Sequence, residues 1–325
     1  MNARPVLVKT TAVALAAVIA VAISAGCAAR PGARPAAAPT TAPTTATATA
    51  RAAGHSAVPA AVAACNPEAA SLAPLGPPQV TAGSSMAKIR ARGFLIAGVD
   101  QSTYHFGYLD PLDGQIEGFD IDMIKAVAQA IFGSPGHVVY KAISDAQRIP
   151  DILNGTVDIV AHTMTITCAR LQQVDFSSVY FEAHQRVLVL KNSTVNGLAN
   201  LSGQKVCATS GSDSATLITQ YHAIPVTVPY WTDCLVLLQQ DQVAAISTDD
   251  SILDGLAAQD PFTKLVGPNL TQEPYGLAIS KQHPDFVRFV NAVLAKERAD
   301  GSWAASYAHW VSTRVPAPPA VAYAS

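Results

Sequence analysis

Four polar side chains in this sequence stand shortly after apolar segments and could together hold a small dipolar molecule. Thr163, Thr165 and Arg170 follow one such segment, and Asp249 follows another. Arginine presents a planar pair of N–H donors that matches a carboxylate, and threonine hydroxyls add further donors. An aspartate is the matching partner of an ammonium group. These residue types therefore indicate a site for a zwitterion.

The elements that must position these residues can be read from the apolar pattern. Residues 94–99, 157–160, 205–208 and 243–246 are predicted strands, and residues 121–132 carry apolar side chains at helical spacing. Strands that alternate with helices predict open α/β sheets. Ligands in such sheets bind beyond the carboxyl ends of the strands, where the four polar side chains stand.

The alternation of strands and helices occurs twice, which predicts two lobes. We assign residues 83–187 and 280–315 to the first lobe and residues 188–279 to the second. The tail, residues 316–325, is predicted to be loose. The arginine and the aspartate then belong to different lobes, so that one ligand could draw the lobes together.

Residues 1–26 have the features of an export signal. A basic flank precedes an apolar run that is too short to span a bilayer as a helix. Residues 23–27, Ile-Ser-Ala-Gly-Cys, resemble the bacterial lipobox, which predicts a lipid on Cys27. An ordinary secretory signal with a chance cysteine is the alternative. Residues 27–82 begin with an Ala/Pro/Thr-rich stretch and are predicted to be a flexible tether.

Composition and motifs exclude several classes of protein. The 325 residues carry a net charge of −2, so no basic excess indicates nucleic-acid binding. The sequence has neither a Gly-x-Ser-x-Gly nor a His-Glu-x-x-His motif, and no cysteine or histidine spacing typical of zinc. We expect a binding protein without metal or cofactor. A lyase-type enzyme on the same fold is the remote alternative.

Four of the five cysteines remain if Cys27 carries a lipid. An oxidising compartment favours disulfides, and four cysteines allow three pairings. Cys207 and Cys234 fall in the same predicted lobe, which favours their pairing and leaves Cys65 for Cys168. The second bridge would fix the loop that carries the candidate arginine.

Several short stretches form an ordered pattern along the chain. They are residues 118–122, 155–160, 163–170, 174–177 with Tyr180, 248–250 and 301–310. In these stretches the sequence resembles the polar amino-acid solute-binding proteins of ABC importers, and among them the mycobacterial glutamine-binding lipoproteins. The resemblance covers about residues 83–311 and implies the two-lobed periplasmic-binding-protein-like fold of type II. In this fold each lobe is a mixed sheet flanked by helices, and two crossing strands form the hinge.

The resemblance also implies roles for matching residues. The two threonines and the arginine named above hold the ligand's α-carboxylate, and Gly211 and Ser212 face it from the second lobe. Asp249 takes the α-ammonium. Relatives usually carry threonine where this chain has Asp213, and an acidic group there could repel the ligand's carboxylate.

The ligand's side chain is expected to meet a further set of residues. Arg148 lies in a Gln-Arg-Ile-Pro segment similar to that of relatives that bind acidic or amide side chains, and Arg186 is a second candidate. Asp100 disfavours an anionic ligand unless it is paired, and Tyr104 or Phe106 is expected to pack over the ligand's stem. The predicted ligands are glutamate and aspartate, followed by glutamine and asparagine.

The implied partners are an amino acid and a membrane protein. The resemblance implies delivery to an ABC transporter permease, and a membrane sensor protein that reads the bound state is the alternative. We expect a monomer that is held outside the cytoplasm on the cell membrane by its lipid anchor, with no nucleic-acid partner.

Overall fold

The structure, a computed structural model, describes residues 65–324. The predicted signal segment, Cys27 and the first part of the predicted tether lie outside these residues. The strands are β1 (Leu95–Val99), β2 (Ser102–Thr103), β3 (Gly107–Leu109), β4 (Ile116–Glu117), β5 (Val138–Ala142), β6 (Ile159–Ala161), β7 (Asp175–Phe176), β8 (Phe181–Ala183), β9 (Gln185–Leu190), β10 (Lys205–Thr209), β11 (Ile224–Val228), β12 (Ala245–Asp249), β13 (Thr263–Val266), β14 (Glu273–Tyr275) and β15 (Ala278–Ile279). The α-helices are α1 (Ser85–Arg92), α2 (Phe119–Phe132), α3 (Arg148–Leu153), α4 (Cys168–Leu171), α5 (Ser214–Gln220), α6 (Trp231–Gln239), α7 (Asp250–Gln259), α8 (Pro284–Asp300) and α9 (Ser302–Trp310). None of the described helices has both the length and the apolar character that a membrane crossing requires.

The first lobe is built on a five-stranded sheet in the order β5-β1-β6-β15-β7. Strands β1, β5 and β6 run parallel, and β15 runs antiparallel to β6 and β7. Strand β1 reads Leu-Ile-Ala-Gly-Val and is almost wholly buried, as expected for a strand covered on both faces. Its alternate residues enter two different apolar clusters, one shared with α2 and α8 and the other with α3.

Helix α2 shows how the predicted periodicity is used. The apolar side chains at helical spacing, Ile121, Ile124, Ala128 and Ile131, are fully buried against the sheet, which confirms the predicted helix. The helix starts after Gly118, whose φ of +134° and close approach to the backbone of the preceding hairpin leave no room for a Cβ.

The second lobe has a sheet in the corresponding arrangement, with the order β11-β10-β12-β9-β13. Strands β10, β11 and β12 run parallel, and β9 runs antiparallel to β12 and β13. Helices α5, α6 and α7 pack on this sheet around their own apolar cluster. The chain therefore has the predicted α/β architecture of two lobes, each a mixed sheet flanked by helices.

Two crossing segments connect the lobes and pair as the antiparallel strands β8 and β14. This pair is the predicted hinge of two crossing strands. The predicted lobe limits were wrong by several residues, because residues 185–187 belong to the second sheet and residues 278–279 to the first. An apolar strand that passes from the hinge into a sheet carries no sequence signal at the point of passage.

The segment 65–82 was predicted to belong to the flexible tether, and this prediction was wrong. Ser71 is buried, and its hydroxyl donates to the carbonyl of Phe176 at 2.7 Å. The amide of Asn291 on α8 donates to both the Ser71 hydroxyl and the Leu72 carbonyl, each at 2.7 Å. These long-range contacts tie the segment to the first lobe, and local composition does not reveal them.

The tail was predicted to be loose, but its described part lies on the first lobe. The backbone N–H of Ala324 donates to the carbonyl of Ser71 at 2.8 Å. A cavity of about 200 Å³ is lined by Phe181, Glu182, Trp303, Tyr307, Pro316, Ala317 and Pro319. The tail therefore runs beside the hinge strand β8, although it forms no regular element.

Both predicted disulfides are present, Cys65–Cys168 and Cys207–Cys234. The first closes a loop of 103 residues in sequence separation and joins the N-terminal segment to the start of α4. The second joins β10 to α6 within the second lobe.

Candidate functional site

The loops that follow β6, β10 and β12 meet between the two lobes. Arg170 follows β6, and Asp213 follows β10. They join across the cleft, with 3.2 Å between Arg170 Nη1 and Asp213 Oδ2. Asp249 stands at the last position of β12 and is buried. The charged groups predicted from the strand ends therefore converge on one cleft.

Arg170 is held by the backbone of its own loop. Thr167 caps α4 by accepting the N–H of Arg170 on its hydroxyl at 3.2 Å. Nη1 of the arginine donates to the carbonyl of Thr165 at 2.7 Å. Because Arg170 is only 8% exposed, its guanidinium is largely screened from water and would interact strongly with a carboxylate.

The threonine loop is fixed by a carboxylate of the first lobe. Thr163 has a φ of +41°, an uncommon conformation for a β-branched residue. Its N–H donates to Asp120 Oδ2 at 2.7 Å, and the hydroxyl of Tyr180 donates to the other oxygen of this aspartate. The hydroxyl of Thr163 is buried and has no hydrogen-bond partner among the described residues. A buried donor of this kind favours binding of a polar ligand atom.

Asp249 lies in an acidic environment next to the hinge. The hydroxyl of Tyr275, on β14, donates to Asp249 Oδ2. Burial raises the pKa of Asp249 well above its ordinary value, and the nearby Glu273 and Asp213 raise it further. An ammonium group placed beside Asp249 would offset this unfavourable environment.

Arg148 is buried at the first-lobe side of the cleft, together with Asp145 and His162. Its Nη1 lies 2.9 Å from Asp145 Oδ1 and donates to the carbonyl of His162 at 3.1 Å. Its Nη2 donates across the cleft to the carbonyl of Gly211 at 3.3 Å. The hydroxyl of Thr209, from the second lobe, donates to Asp145 Oδ2.

The loop after β10 makes the closest approach between the lobes. Gly211 has a φ of +89°, and a Cβ there would stand 2.6 Å from the Cα of Ala146. Glycine is required both by the backbone conformation and by this approach. The hydroxyl of Ser212 donates to the carbonyl of Thr209 at 2.9 Å. Gly211 and Ser212 thus lie in the loop that approaches the first lobe, and their contact with a ligand carboxylate stays a prediction.

The structure gives four other predicted residues different surroundings. Asp100 caps its own loop, because its carboxylate accepts from the backbone of Gln101 and from Ser102 and Thr103. Nη2 of Arg186, on β9, donates to the carbonyl of Gly267 rather than to a charged group of the cleft.

The two predicted aromatic residues also have structural roles. Tyr104 lies at the edge of the cleft, where its carbonyl approaches Gly255 of α7 in the second lobe. Phe106 is buried in an aromatic cluster with Phe119, Phe181 and Tyr275. Phe106 therefore packs against protein side chains, and packing of Tyr104 or Phe106 over a ligand stays a prediction.

Sequence reasoning missed Asp145, Glu273 and Tyr275. Burial raises the pKa of Glu273, with Asp213 adding to the effect. Asp145 stands three residues before Arg148, a spacing that could have signalled an ion pair on one helical turn. No comparable signal marks the hinge residues Glu273 and Tyr275, because their neighbours come from distant parts of the chain.

A cavity of about 600 Å³ opens beside this cluster on the hinge side. Its lining comes from both lobes, the hinge and the N-terminal segment, and includes Glu68, Thr165, Ala169, Gln185, Asp213 and Glu273. Among the described residues, no group of three or more histidine, cysteine or acidic side chains could hold a metal ion. The arrangement of one arginine, hydroxyl donors and opposing carboxylates suits a small molecule that carries both charges.

Comparison with known proteins agrees with this chemistry. The chain is 36% identical over 230 residues to an ABC transporter glutamine-binding protein of Bacillus subtilis, covering 70% of this chain and 84% of that protein. It is 35% identical over 214 residues to a glutamine-binding protein of Geobacillus stearothermophilus, covering 65% and 82%. A glutamate/aspartate import solute-binding protein of Escherichia coli is 26% identical over 248 residues, covering 72% and 82%.

Solved structures of amino-acid-binding proteins have a similar fold. An ancestral arginine-binding protein bound to glutamine matches with a TM-score of 0.64 and 32% identity, covering 68% of this chain and 98% of that one. A mutant arginine-binding protein of T. maritima matches with a TM-score of 0.66 and 27% identity, covering 69% and 98%. Residues 95–313 match the profile of the bacterial extracellular solute-binding proteins, family 3, and the chain belongs to this family.

Proposed function

We propose that this protein binds a polar amino acid, glutamate or aspartate or one of their amides, outside the cytoplasm and delivers it to an ABC transporter permease. The observation that carries the proposal is the placement of Arg170 and Asp249. Both are buried, they come from opposite lobes, and Asp213 stands close to both. A free amino acid carries the two opposite charges that these groups match.

The α-carboxylate is assigned to the first-lobe loop. The guanidinium of Arg170 offers two parallel donors, and the partnerless hydroxyl of Thr163 adds another. Thr165 supports the arrangement, because its carbonyl orients the guanidinium and its backbone bridges to the hinge at Tyr275. Gly211 and Ser212 complete this end of the site from the second lobe.

The α-ammonium is assigned to Asp249. Its pKa is raised by burial and by neighbouring carboxylates, so a positive group placed there would relieve the repulsion among the carboxylates. The hydroxyl of Tyr275 links this aspartate directly to β14. Ligand binding and hinge closure therefore act on the same side chains, which suits a protein that signals its loaded state by shape.

The remaining parts of the proposal concern location and chemistry. Two disulfides support an extracytoplasmic location. We include the lipid on Cys27 in the proposal, and the expected result is a diacylglyceryl group found by mass spectrometry on chain extracted from membranes. The protein is proposed to bind its ligand without transforming it, so incubation with amino acids should yield no product.

Isothermal titration calorimetry of the full chain against the twenty amino acids tests the proposal. Binding is expected for acidic or amide amino acids. Arg170→Ala should weaken it by about 3 kcal/mol or more, because the ligand's carboxylate would be buried without its partner. Arg92→Ala is the matched control, since Arg92 pairs with Asp158 outside the cleft.

Two results would contradict the proposal. One is binding that survives Arg170→Ala unchanged in a variant whose thermal unfolding shows an intact fold. The other is selective binding of aromatic or aliphatic amino acids, because their apolar side chains cannot form hydrogen bonds with polar groups at the far end of the cleft.

A further inference from the structure

We propose that Asp145 selects the charge of the ligand's side chain: by pairing with Arg148 it makes the cleft accept an amide side chain in preference to a carboxylate. The proposal rests on the proposed function, because it concerns the far end of the same ligand. Asp145 is thereby assigned a specificity role that the resemblance does not carry.

The first step is that the guanidinium of Arg148 is already largely engaged. Its Nε donates to the carbonyl of Asp145 at 3.1 Å. Its Nη1 donates to the carbonyl of His162 and lies 2.9 Å from Asp145 Oδ1. Nη2 donates to the carbonyl of Gly211. Three of the five N–H donors of this arginine make hydrogen bonds within the described residues, and Nη1 also lies at ion-pair distance from Asp145 Oδ1. A guanidinium whose Nε, Nη1 and Nη2 all contact protein groups is poorly placed to bind a ligand carboxylate through two parallel N–H groups.

The second step is that the pair is electrically balanced. Both side chains are buried, with 4% of Arg148 and 3% of Asp145 exposed. Burial opposes ionisation of Asp145, but Arg148, His162 and the hydroxyl of Thr209 outweigh it, so the pKa of Asp145 lies below its ordinary value. Asp145 is therefore charged at neutral pH and cancels the positive charge of Arg148.

The third step is that the rest of the cleft is acidic. Asp213 pairs with Arg170. Neither Asp249 nor Glu273 has a basic side chain of the described residues within salt-bridge distance. Burial raises the pKa of both Asp249 and Glu273, and repulsion adds to the effect, from Glu273 and Asp213 on Asp249 and from Asp213 on Glu273. The ligand's ammonium can compensate one of these carboxylates, and a second ligand carboxylate would restore the repulsion.

The size of the effect follows from Coulomb's law. A ligand carboxylate about 6 Å from the guanidinium of Arg148, at an effective dielectric constant of ~20, would gain attraction worth roughly a hundredfold in affinity, and the charge of Asp145 cancels this gain. An amide of the same shape loses nothing by this cancellation, and its NH₂ group can donate to a carboxylate. Glutamine and glutamate are nearly isosteric, so their affinity ratio isolates the charge.

Calorimetry of the full chain with glutamine and glutamate tests the inference, first on the wild type. We expect glutamine to bind at least tenfold more tightly than glutamate. Asp145→Asn should raise the affinity for glutamate relative to glutamine by tenfold or more, because Arg148 regains an uncompensated charge. Asp151→Asn, on the helix α3 that begins with Arg148 and with the same change of charge, should leave the ratio unchanged.

The outcomes separate this inference from the proposed function. Equal or tighter binding of glutamate by the wild type overturns the role of Asp145 while leaving the proposed function in place, and this measurement needs no variant. A ratio unchanged by Asp145→Asn in a folded variant also overturns it. Failure of the wild type to bind either amino acid overturns the proposed function, and the inference with it.

Discussion

Replacing Asp213 with asparagine is predicted to tighten amino-acid binding. In the structure the carboxylate of Asp213 reaches Arg170 across the cleft, with 3.2 Å between Oδ2 and Nη1. It therefore occupies the guanidinium assigned to the ligand's α-carboxylate. Any ligand must displace this contact, so the net affinity is lower than the ligand's own contacts would give.

The magnitude can be worked from the geometry. Two unit charges about 4 Å apart attract by about 4 kcal/mol at an effective dielectric constant of ~20. The Asp213 side chain is 37% exposed, so solvent screening reduces the net value to about 1 kcal/mol. Asp213→Asn keeps the shape and removes the charge. We therefore expect binding to tighten by roughly fivefold to tenfold.

Calorimetry at low and high salt is the assay. The gain should shrink between about 0.05 and 0.5 M NaCl, because salt screens a partly exposed pair. Asp241→Asn is the matched control, since Asp241 lies in an exposed turn of the same lobe and asparagine tolerates its φ of +55°. Weaker binding by Asp213→Asn would refute the reasoning and would assign Asp213 to the ammonium. The same gain in the control would refute it as well.

Two further predictions concern closure of the cleft and the acidic support of its threonine loop. Gly211→Ala should weaken binding and open the lobes in small-angle scattering, because the new Cβ would stand 2.6 Å from Ala146. The control Gly203→Ala, at a similar positive φ but with open space around the new Cβ, should bind normally. An equal loss of affinity in both variants would exclude steric blocking as the cause. Burial raises the pKa of Asp120 to about 6 from 3.8, so the folded chain binds this proton more tightly than the unfolded chain. The free energy of unfolding should therefore rise by about 3 kcal/mol as the pH falls from about 6 to about 4. Asp120→Asn should remove this part of the pH dependence measured by urea unfolding. An unchanged pH dependence in the variant would contradict the assignment.

The sequence was sufficient to predict the features that depend on local pattern. The apolar run of β1, the helical spacing in α2 and the polar residues at strand ends were readable because each follows from the period of one element. The placement of Arg170 and Asp249 in one cleft followed from a general rule about strand ends in open sheets.

The sequence was insufficient where a residue's role depends on a distant partner. Asp145 meets Thr209 across 64 positions, and Ser71 meets Asn291 across 220 positions. Neither pairing leaves a local signal in the sequence. The predicted tether was therefore extended too far, and the ion pair of Arg148 with Asp145 was not predicted. Asp100 is different, because its hydrogen-bond partners Gln101, Ser102 and Thr103 are its neighbours in the sequence.

The contacts that close the cleft also set the limit on affinity. Asp213 holds Arg170, Thr209 holds Asp145, and the carbonyl of Gly211 holds Arg148. Each contact is made by a group assigned to the ligand or to its immediate support. Binding therefore exchanges internal contacts for ligand contacts, and the measured free energy is their difference. Weakening the contact of Asp213 with Arg170, which leaves the path of closure free, should tighten binding and at the same time reduce closure of the ligand-free chain, so affinity and closure can be shifted in opposite directions by one substitution.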